Sequence, residues 1–407
     1  MLSKEQLMQE ATALAPEMVA VRRELHAHAE TGFDLHDTLA IVKEHLEAMG
    51  LTPEPCGKAG FVVLLGGKHP GKTILLRADM DALPIEEASG EEFSCSNGRM
   101  HACGHDLHTS MLLGAAKLLK AHEDEIQGTV KLMFQPAEEI FCGSKDMIEA
   151  GVLKNPDVDA AMMIHVMAGM PVPTGCVLIM APGVSAPAAD VFTIKIQGKG
   201  CHGSAPQVGI DPLNAAAHIL LALEELNARE LGVGDTAVLT IGSMNGGQAA
   251  NAIPDEAVMR GSLRTFDEET REMLKKRIVE VSEGTAAVFR AKAEVTFDSG
   301  CASLYNDPAM CADAEKYLGQ LLGQGAIPVG KLPTSGGKKA SGGGSEDFAA
   351  VSRAVPSVML GLAAGEPDKG YAFPQHHPKV RFDESVLPVG AAVHTWMALS
   401  WLADHAE

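Results

Sequence analysis

The spacing of apolar residues along the chain changes between a helical period and an alternating, extended one. Helical spacing predicts helices over residues 4–29, 36–49 and 107–119. Apolar or alternating runs predict strands over residues 62–65, 73–76, 130–134 and 158–164. The glycine- and proline-rich segment 66–71 predicts a hairpin between the first two strands. Helices and strands that alternate in this way favour an α/β sheet, which places ligands at the carboxyl ends of its strands.

Longer alternating strands begin near residue 188. Strand patterns lie at 191–196, 236–243, 256–265 and 293–297, and helical patterns begin at Asp211-Pro212 and cover 268–288. Four strands and two helices in about 110 residues predict an α+β unit, a four-stranded antiparallel sheet with both helices on one face. A strand at 358–362 and a closing helix at 386–405 then return to the α/β pattern.

The predicted fold class is α/β: a discontinuous α/β domain with a mixed sheet, interrupted by an inserted α+β lid domain. The predicted boundaries are 1–187 for the first part of the main domain, 188–298 for the lid domain and 299–407 for the second part of the main domain. The run SGGKKASGGGS at 335–345 predicts a flexible loop. Such loops are plain connectors as often as active-site covers, so this one assigns no function.

Composition and charge narrow the class of protein. Of 407 residues, 46% are hydrophobic and 21% are charged, which favours neither intrinsic disorder nor a membrane protein. The net charge of −20 repels phosphate backbones and anionic membrane surfaces, so nucleic acid and membranes are not expected partners.

Cysteine usage and the N-terminal pattern bear on the location of the protein. Eight cysteines without a CxxC pair argue against a disulfide framework. The N-terminal segment lacks the apolar core of a signal peptide, and no segment is expected to reach the about 18 apolar residues of a membrane span. A cytoplasmic location is expected, where thiols are available for packing or metal binding.

The segment MHACGHDLHTS at 100–110 places Cys103 and His105 two residues apart where a strand leads into a helix. With one glycine between them, both side chains can converge on one cation, and Zn, Mn, Co or Ni suits mixed thiolate, imidazole and carboxylate ligands. A packed cysteine and a capping histidine would produce the same pair, so the pair alone does not distinguish a metal site from a structural role.

The segment FQPAEE at 134–139 ends a strand with proline and presents Glu138 and Glu139 directly after it. Adjacent carboxylates repel unless a cation or a proton separates them, so one suits a metal ligand and the other a general base. Adjacent glutamates also occur on helix surfaces, as expected of Glu224-Glu225. The position after a buried strand distinguishes the first pair.

Two histidines follow other predicted strands. His165 ends the apolar run AAMMI, and His376 lies in a loop after the last strand. A core histidine and an idle loop histidine would each be an ordinary explanation. All the candidate ligands nevertheless follow strands of one predicted sheet, namely Cys103, His105, Glu139, His165 and His376. Together they predict a metal centre at the carboxyl edge of that sheet.

With these residues the chain resembles the dinuclear-metal amidohydrolases and peptidases that include aminoacylases and glutamate carboxypeptidases. The closer resemblance is to their branch of hippurate hydrolases, auxin-conjugate hydrolases and N-acyl-amino-acid deacylases. The segments that carry it span nearly the whole chain: RRELHAHAETGFDLHDT at 22–38, LLRADMDALPIEE at 75–87, MHACGHD at 100–106, PAEE at 136–139, IHV at 164–166, GKGCHGSAP at 198–206, the Asn251-Ala-Ile-Pro segment, GSLRTF at 261–266, GSEDFA at 344–349 and HHP at 376–378.

The resemblance implies two divalent metal ions per subunit, Mn, Zn, Co or Ni, and a general base, Glu138. The implied metal ligands are Cys103, His105, Glu139, His165 and His376. Asp81 matches a carboxylate that orients a ligand in other branches of the family. Asp79 stands where those branches carry a histidine ligand, and its role stays open.

The resemblance also implies functions for residues of the lid domain. His202 matches a histidine that reaches the site of the partner subunit and polarises the scissile carbonyl, so a homodimer or higher homo-oligomer is expected. Asn251 and Arg264 match groups that hold the substrate carboxylate, for which a planar guanidinium is suited. A structural salt bridge is the alternative for Arg264.

Two positions depart from the pattern of the branch. The run Ile140-Phe141-Cys142 stands where a glycine-rich run usually follows the glutamate pair, and Gln207 stands where a histidine commonly follows Ala-Pro in the lid domain. Neither change removes a predicted ligand or the base, but both can reshape the acyl pocket.

The resemblance therefore implies a metal-dependent hydrolase that cleaves the amide bond of N-acyl amino acids, hippurate-like or N-acetyl substrates, to a carboxylic acid and a free amino acid. One alternative is a carboxypeptidase or dipeptidase that uses the same dinuclear site on short peptides. Another is a non-catalytic ligand-binding relative, although a binding protein has no use for a base such as Glu138.

Overall fold

The structure is a computed structural model that describes residues 2–331 and 344–406. The chain divides into two compact units. The first contains the residues up to Ser185, a stretch that begins at Tyr305, and the stretch from Asp347 to the end; the second contains Ala186–Leu304 and a short segment that ends at Glu346. Except for its last two residues, the loop predicted at 335–345 lies outside the described residues.

Helices and strands alternate over most of the described residues. The helices are α1 Lys4–Ala13, α2 Ala15–Ala27, α3 His36–Ala48, α4 His105–Ala121, α5 Gly143–Glu149, α6 Pro212–Glu225, α7 Glu268–Val288, α8 Pro308–Leu322, α9 Ala349–Ala354 and α10 Leu387–Asp404. The strands are β1 Glu54–Cys56, β2 Gly60–Gly66, β3 Thr73–Asp79, β4 Thr129–Gln135, β5 Ala160–Met167, β6 Val177–Ile179, β7 Gly183–Ala186, β8 Ala188–Gln197, β9 Cys201–His202, β10 Ala237–Gly246, β11 Ala252–Ile253, β12 Glu256–Thr265, β13 Lys292–Cys301, β14 Leu304–Asn306, β15 Ala326–Pro328 and β16 Ser357–Ala363.

The first unit is built on an eight-stranded mixed sheet in the order β1-β2-β4-β3-β5-β16-β6-β15. Four neighbouring strands, β4, β3, β5 and β16, run parallel to one another. Leu76 of β3, Leu112 of α4 and Val393 of α10 belong to one buried core between the sheet and its helices. Because the four strands point the same way, their carboxyl ends meet at one edge of the sheet.

The predicted hairpin between residues 62–65 and 73–76 is wrong. β2 pairs with β4 in antiparallel orientation and β3 pairs with β4 in parallel orientation, so β4 lies between them. The glycine-rich turn reverses the chain but does not determine which strand becomes the neighbour. β4 is buried at all but its first position, and a place between two strands gives it that burial.

The single helix predicted over residues 4–29 is also wrong. The structure has two helices, α1 and α2, that meet at Leu14. Pro16 lies in the first turn of α2. Because proline has no backbone N–H to donate to the preceding turn, one continuous helix through this position would lose a hydrogen bond and meet a steric clash.

The second unit has a four-stranded antiparallel sheet in the order β10-β12-β8-β13. Ile194 and Ile196 of β8 share one buried core with Ile219 of α6 and Ile278 of α7. Because residues two apart on a strand point to the same face, both helices cover that face. The predicted fold class is confirmed: an α/β unit with a mixed sheet, and an α+β unit with four antiparallel strands and two helices.

One helical stretch, Glu384–Asp404, is long and apolar enough to cross a membrane by length and composition, contrary to the expectation from the sequence. In the structure 72% of its apolar window is buried. Leu387, Val393 and Leu402 of this stretch belong to the core of the first unit. It is therefore a buried core helix.

A lysine is buried in the middle of the large sheet. Lys131 of β4 is only 1% exposed. Its Nζ donates to the backbone oxygens of Val152 at 3.0 Å, Lys154 at 2.8 Å and Pro156 at 2.8 Å. Burial lowers the pKa of this ammonium group. The three carbonyl groups compensate for its removal from water.

Lys131→Met is expected to reduce the free energy of unfolding by about 2–3 kcal/mol, because it leaves three carbonyl groups, that of buried Val152 among them, without their donor. Lys154→Met is the matched control, since the Lys154 side chain is 67% exposed. That change should alter stability by less than about 0.5 kcal/mol. Urea unfolding of the three proteins measures the difference, and equal stabilities would contradict the role assigned to Lys131.

Candidate metal centre

The residues predicted to form the site meet at the carboxyl edge of the parallel strands. Asp81 follows the end of β3, and Glu138 and Glu139 follow the end of β4. His165 lies in β5 one residue before Val166 and near the end of that strand. The remaining predicted ligands are Cys103, just before α4, His105, the first residue of α4, and His376, after β16.

Cys103, His105 and His165 come together with defined ring orientations. The Cys103 Sγ lies 3.5 Å from His165 Nε2. His105 Nδ1 lies 2.8 Å from the backbone oxygen of Asp81, and His165 Nδ1 lies 2.7 Å from that of Val166. A carbonyl oxygen only accepts, so Nδ1 carries the proton in both rings. Both histidines therefore turn Nε2 toward the site.

The glutamate pair closes the other side of the site. Nε2 of His105 lies 4.0 Å from a Glu138 oxygen and 3.9 Å from a Glu139 oxygen. The second Glu139 oxygen lies 3.6 Å from His376 Nε2. The His376 side chain is 54% exposed, whereas those of Glu138 and Glu139 are nearly buried. The site therefore opens to solvent on the side of His376.

The donor atoms fall into overlapping groups of three, each group lying within 4.8 Å. Three groups contain the predicted ligands, namely Cys103 with His105 and His165, Cys103 with Glu139 and His376, and His105 with Glu138 and Glu139; another group joins His105 to Asp79 and His108. All five predicted ligands thus belong to groups that share members. Their chemistry, one thiol, three imidazoles and carboxylates, suits borderline divalent metals such as zinc.

The geometry around His105 fits a cation. His105 Nε2 is buried and has no hydrogen-bond partner among the described residues. Its nearest carboxylate oxygens lie 3.7–4.0 Å away, which is too long for a hydrogen bond. Donors that each bind one cation at about 2.0–2.3 Å lie about 3–4 Å from one another. The residues present therefore fit a shared divalent metal.

Asp81 fixes the backbone that carries the glutamate pair. Its two carboxylate oxygens accept from the N–H groups of Glu138 at 3.0 Å and Glu139 at 3.2 Å. Its own backbone oxygen accepts from His105. Asp81 thus orients one histidine and both glutamates, although it belongs to none of the groups of potential ligand atoms described above.

The charges of the site depend on burial and on one buried carboxylate. Burial alone would raise the pKa of Asp79, but Arg77 and His105 hold it well below its usual range. Burial lowers the pKa of His105, yet Asp79 raises it well above the usual value. Burial lowers the pKa of His165 to about 3, so this ring is neutral. Burial raises the pKa of Cys103, whose thiol must lose its proton to bind a cation.

Residues 75–400 match the family described as peptidase family M20/M25/M40. The chain belongs to this family. It is 39% identical to IAA-amino acid hydrolase ILR1-like 2 of Arabidopsis thaliana over 396 residues, which are 96% of this chain and 86% of that protein. It is 35% identical to N-acetyl-L-cysteine deacetylase of Bacillus subtilis, over 97% of this chain and 90% of that protein. It is 34% identical to thermostable carboxypeptidase 2 of Saccharolobus solfataricus, over 98% of each.

A solved structure shows the same fold. The crystal structure of the Bacillus subtilis YXEP protein, described as a dinuclear metal binding peptidase from the M20 family, has a TM-score of 0.76 and 31% identity to this chain. The match covers 96% of this chain and 99% of that one. The chain is therefore a metal-dependent amidohydrolase, which removes the alternative of a non-catalytic relative.

Sequence reasoning missed a buried network behind the glutamates of this M20/M25/M40 peptidase. The Asp347 N–H donates to Glu138 Oε1 at 3.3 Å. The Asp347 carboxylate in turn accepts from Arg77 at 2.9 Å, from the Gln135 amide at 2.7 Å and from the Ser144 N–H at 2.9 Å. The motif GSEDFA contained Asp347, but nothing in its spacing indicated that its backbone holds the predicted base.

Sequence reasoning also assigned no role to Arg22 and His26 of the RRELHAHAE segment. Arg22 Nε lies 2.7 Å and His26 Nδ1 lies 2.8 Å from the same oxygen of Asp106, the second residue of α4. His26 Nε2 lies 3.1 Å from Glu87. Burial would raise the pKa of Asp106, but Arg22 and His26 hold it well below its usual range. This cluster anchors the start of the helix that carries His105.

The turn around the glutamate pair contains Ile140-Phe141-Cys142 and has an unusual backbone. Ala137 and Phe141 have φ of 57° and 55°, in the left-handed region. Hydrogen bonds hold the turn, from Phe141 N to Glu138 O at 2.8 Å and from Cys142 N to Ala137 O at 3.1 Å. Glycine adopts this conformation without strain, whereas other residues keep it only when their surroundings impose it. A glycine in place of Phe141 would therefore adopt this turn with less strain.

The three predicted residues of the lid domain lie in the second unit. His202 of β9 pairs with Ala252 of β11, and Asn251 immediately precedes Ala252, so His202 and Asn251 are neighbours. The His202 side chain is exposed, and its Nδ1 lies 2.8 Å from Ser204 Oγ. Arg264 of β12 donates to Ser345 Oγ at 2.7 Å within the same unit.

Proposed function

We propose that this amidohydrolase cleaves N-acyl amino acids to a carboxylic acid and a free amino acid, with Glu138 as general base. The observation that carries the proposal is the division within the glutamate pair. One Glu139 oxygen faces His105 and the other faces His376, and Glu139 shares a group of potential ligand atoms with Cys103 and His376, so it suits a metal ligand. Glu138 faces His105 with one oxygen and is held by the Asp347 N–H through the other.

The mechanism assigns each residue a separate task. Two divalent cations, held by Cys103, His105, Glu139, His165 and His376, would supply activation of water and polarisation of the amide carbonyl. Glu138 takes the proton of the attacking water and delivers it to the leaving amine, because one positioned carboxylate can act in both directions. The Asp347 N–H keeps Glu138 in one orientation during both transfers.

The lid residues supply the polar contacts that an N-acyl amino acid requires. Arg264 and Asn251 would hold its free carboxylate, for which a guanidinium offers two parallel donors. His202 would donate to the oxygen on which negative charge develops, a contact worth about 2.7–4 kcal/mol in comparable sites. The exposure of His202 leaves its ring accessible to a substrate.

The names of the relatives support amide substrates of two kinds. An IAA-amino acid hydrolase and an N-acetyl-L-cysteine deacetylase act on N-acyl amino acids by name, and they match nearly the whole chain. A carboxypeptidase of similar identity supports the second candidate, cleavage of short peptides at the same dinuclear site.

A substrate panel separates the two candidates. We expect hydrolysis of N-acetyl, N-benzoyl and indole-acetyl amino acids by protein loaded with Mn, Zn, Co or Ni, and slower hydrolysis of unblocked dipeptides and longer peptides. The panel also identifies the preferred acyl group and metal. Peptides cleaved with higher kcat/KM than every N-acyl amino acid would establish the carboxypeptidase or dipeptidase instead.

We further propose a cytoplasmic homodimer. All eight cysteines are free thiols, as a reducing compartment permits. In the second unit, β10 is an edge strand with exposed Val238 and Met244, and exposed apolar edge strands favour pairing with another chain.

If His202 acts in the partner subunit, two inactive proteins should restore each other. His202→Ala and Glu138→Gln proteins are mixed and allowed to exchange subunits. Each mixed dimer is expected to have one intact composite site and therefore an activity approaching half that of a wild-type dimer. Native mass spectrometry confirms the exchange. Confirmed exchange without recovered activity would mean that His202 acts within its own chain or has only a structural role.

A further inference from the structure

His108 lies between two predicted metal ligands, although the sequence analysis assigned it no role. It is buried in the second turn of α4, with 1% of its surface exposed. Its ring stacks on His105 with centroids 5.3 Å apart and meets the edge of His165 at 4.8 Å. A third imidazole in this position is either a further ligand or a group that positions the other two.

Both nitrogens of His108 are engaged by the protein. Nδ1 lies 2.6 Å from an Asp79 oxygen, and the Val166 N–H donates to Nε2 at 2.8 Å. Because Nε2 accepts, Nδ1 carries the proton and donates to Asp79. Neither nitrogen has a lone pair left for a cation, so His108 is not a ligand in this arrangement.

Asp79 is satisfied in the same way. One carboxylate oxygen accepts from His108, and the other accepts from Arg77 at 2.5 Å. That second oxygen also lies 3.7 Å from His105 Nε2. The side chains of Asp79 and Arg77 are fully buried, so this ion pair is shielded from water. Asp79 therefore occupies a ligand's position in the sequence but binds protein donors instead.

The contact from His108 reaches two predicted ligands through Val166. The Val166 carbonyl accepts from His165 Nδ1 at 2.7 Å and from the Gln375 amide at 2.7 Å. Gln375 directly precedes His376 in the chain. One peptide segment, held by His108 at its N–H, thus fixes the ring of His165 and the loop of His376.

We propose that Asp79 and His108 are a positioning pair that sets the metal affinity of the site without binding metal. The proposal rests on the proposed function only in that the site binds divalent cations. Arg77 fixes Asp79, Asp79 fixes the tautomer of His108, and His108 fixes the segment at Val166. Groups that orient ligands in this way typically contribute 10–100-fold to metal affinity.

Titration of the metal-free full-length protein with Co²⁺, followed by visible absorption and by competition with a chelator, tests the proposal. His108→Gln and Asp79→Asn are each expected to weaken Co²⁺ affinity about 10–100-fold and to alter the absorption bands. Both should still bind two Co²⁺ at saturation, because no ligand has been removed. Thermal unfolding verifies that the variants are folded, since lost stability alone does not change the affinity of the folded protein.

His394→Gln is the matched control. His394 is also 1% exposed, and its Nδ1 has no hydrogen-bond partner among the described residues. Its Co²⁺ affinity and spectrum should equal those of the wild type. Unchanged affinity in both test variants would overturn the proposal, and so would binding of one Co²⁺ instead of two by Asp79→Asn, which would make Asp79 a ligand.

The result can be separated from the proposed function. If the wild type hydrolyses no N-acyl amino acid, the proposed function is overturned. If the two variants nevertheless bind Co²⁺ more weakly than the wild type, the positioning pair is supported. If the wild type hydrolyses N-acyl amino acids and both variants bind Co²⁺ as tightly as the wild type, the proposed function is supported and the positioning pair is overturned. A wild type that binds no Co²⁺ would overturn both.

Discussion

Removal of divalent metal is expected to abolish hydrolysis, because the cations would lower the pKa of the attacking water and polarise the amide carbonyl, which Glu138 alone does not do. The donors that converge on His105 and Glu139 suit cations that lower the pKa of water and polarise the amide. Cys103, a thiol beside this site, is buried, and burial and Glu139 raise its pKa, which disfavours it as a nucleophile.

Dialysis against a chelator, elemental analysis and rates before and after addition of Mn, Zn, Co or Ni measure this effect. Protein dialysed without chelator is the control for loss of activity during handling. Activity should return with added metal in proportion to the metal bound. Full turnover by protein shown to be metal-free would refute the metal-dependent mechanism.

Glu138→Gln is expected to lower kcat by at least about 10²-fold while the metal content stays at the wild-type level. The amide has the shape of the carboxylate and can still accept from the Asp347 N–H, but it cannot take up a proton. Glu139→Gln is expected to lose metal as well, because Glu139 approaches both His105 and His376.

Metal content and single-substrate kinetics of the two variants provide the test. The two changes are chemically identical and occur at adjacent positions, so each serves as the control for the other. Equal loss of metal in both variants, or a Glu138→Gln protein with wild-type kcat, would show that the division between base and ligand is wrong.

Local patterns predicted the elements whose burial is one-sided. The alternation in β8 and β12 and the helical spacing of α7 place them close to their predicted bounds, because each presents one apolar face to the core of the second unit. The same approach failed for the connection between β2 and β3. Which strands become neighbours depends on how the whole sheet buries its apolar side chains. A glycine-rich turn does not indicate that β4 will lie between β2 and β3.

The candidate site shows the same limit. Motifs around Cys103, Glu138 and His165 indicated residue types that bind metals, and the order of elements indicated the edge at which the last two meet. The strand predicted to lead into α4 was wrong, because a long loop connects β3 to α4 and carries Cys103 to the site. The motifs did not indicate how Asp79 is used. Its position, where other branches of the family carry a histidine ligand, left its role open, whereas its contacts with Arg77 and His108 engage both oxygens.

The sequence by itself determined the fold class, the family and the set of candidate donors, because apolar periodicity and short motifs are local properties. Only the tertiary structure decided that His105 and His165 present Nε2, that Asp347 holds Glu138, and that His108 is engaged at both nitrogens. The reason is physical. A hydrogen bond or an ion pair depends on atoms brought within a few ångströms, and Glu138 and Asp347 meet only because the chain folds across more than 200 residues.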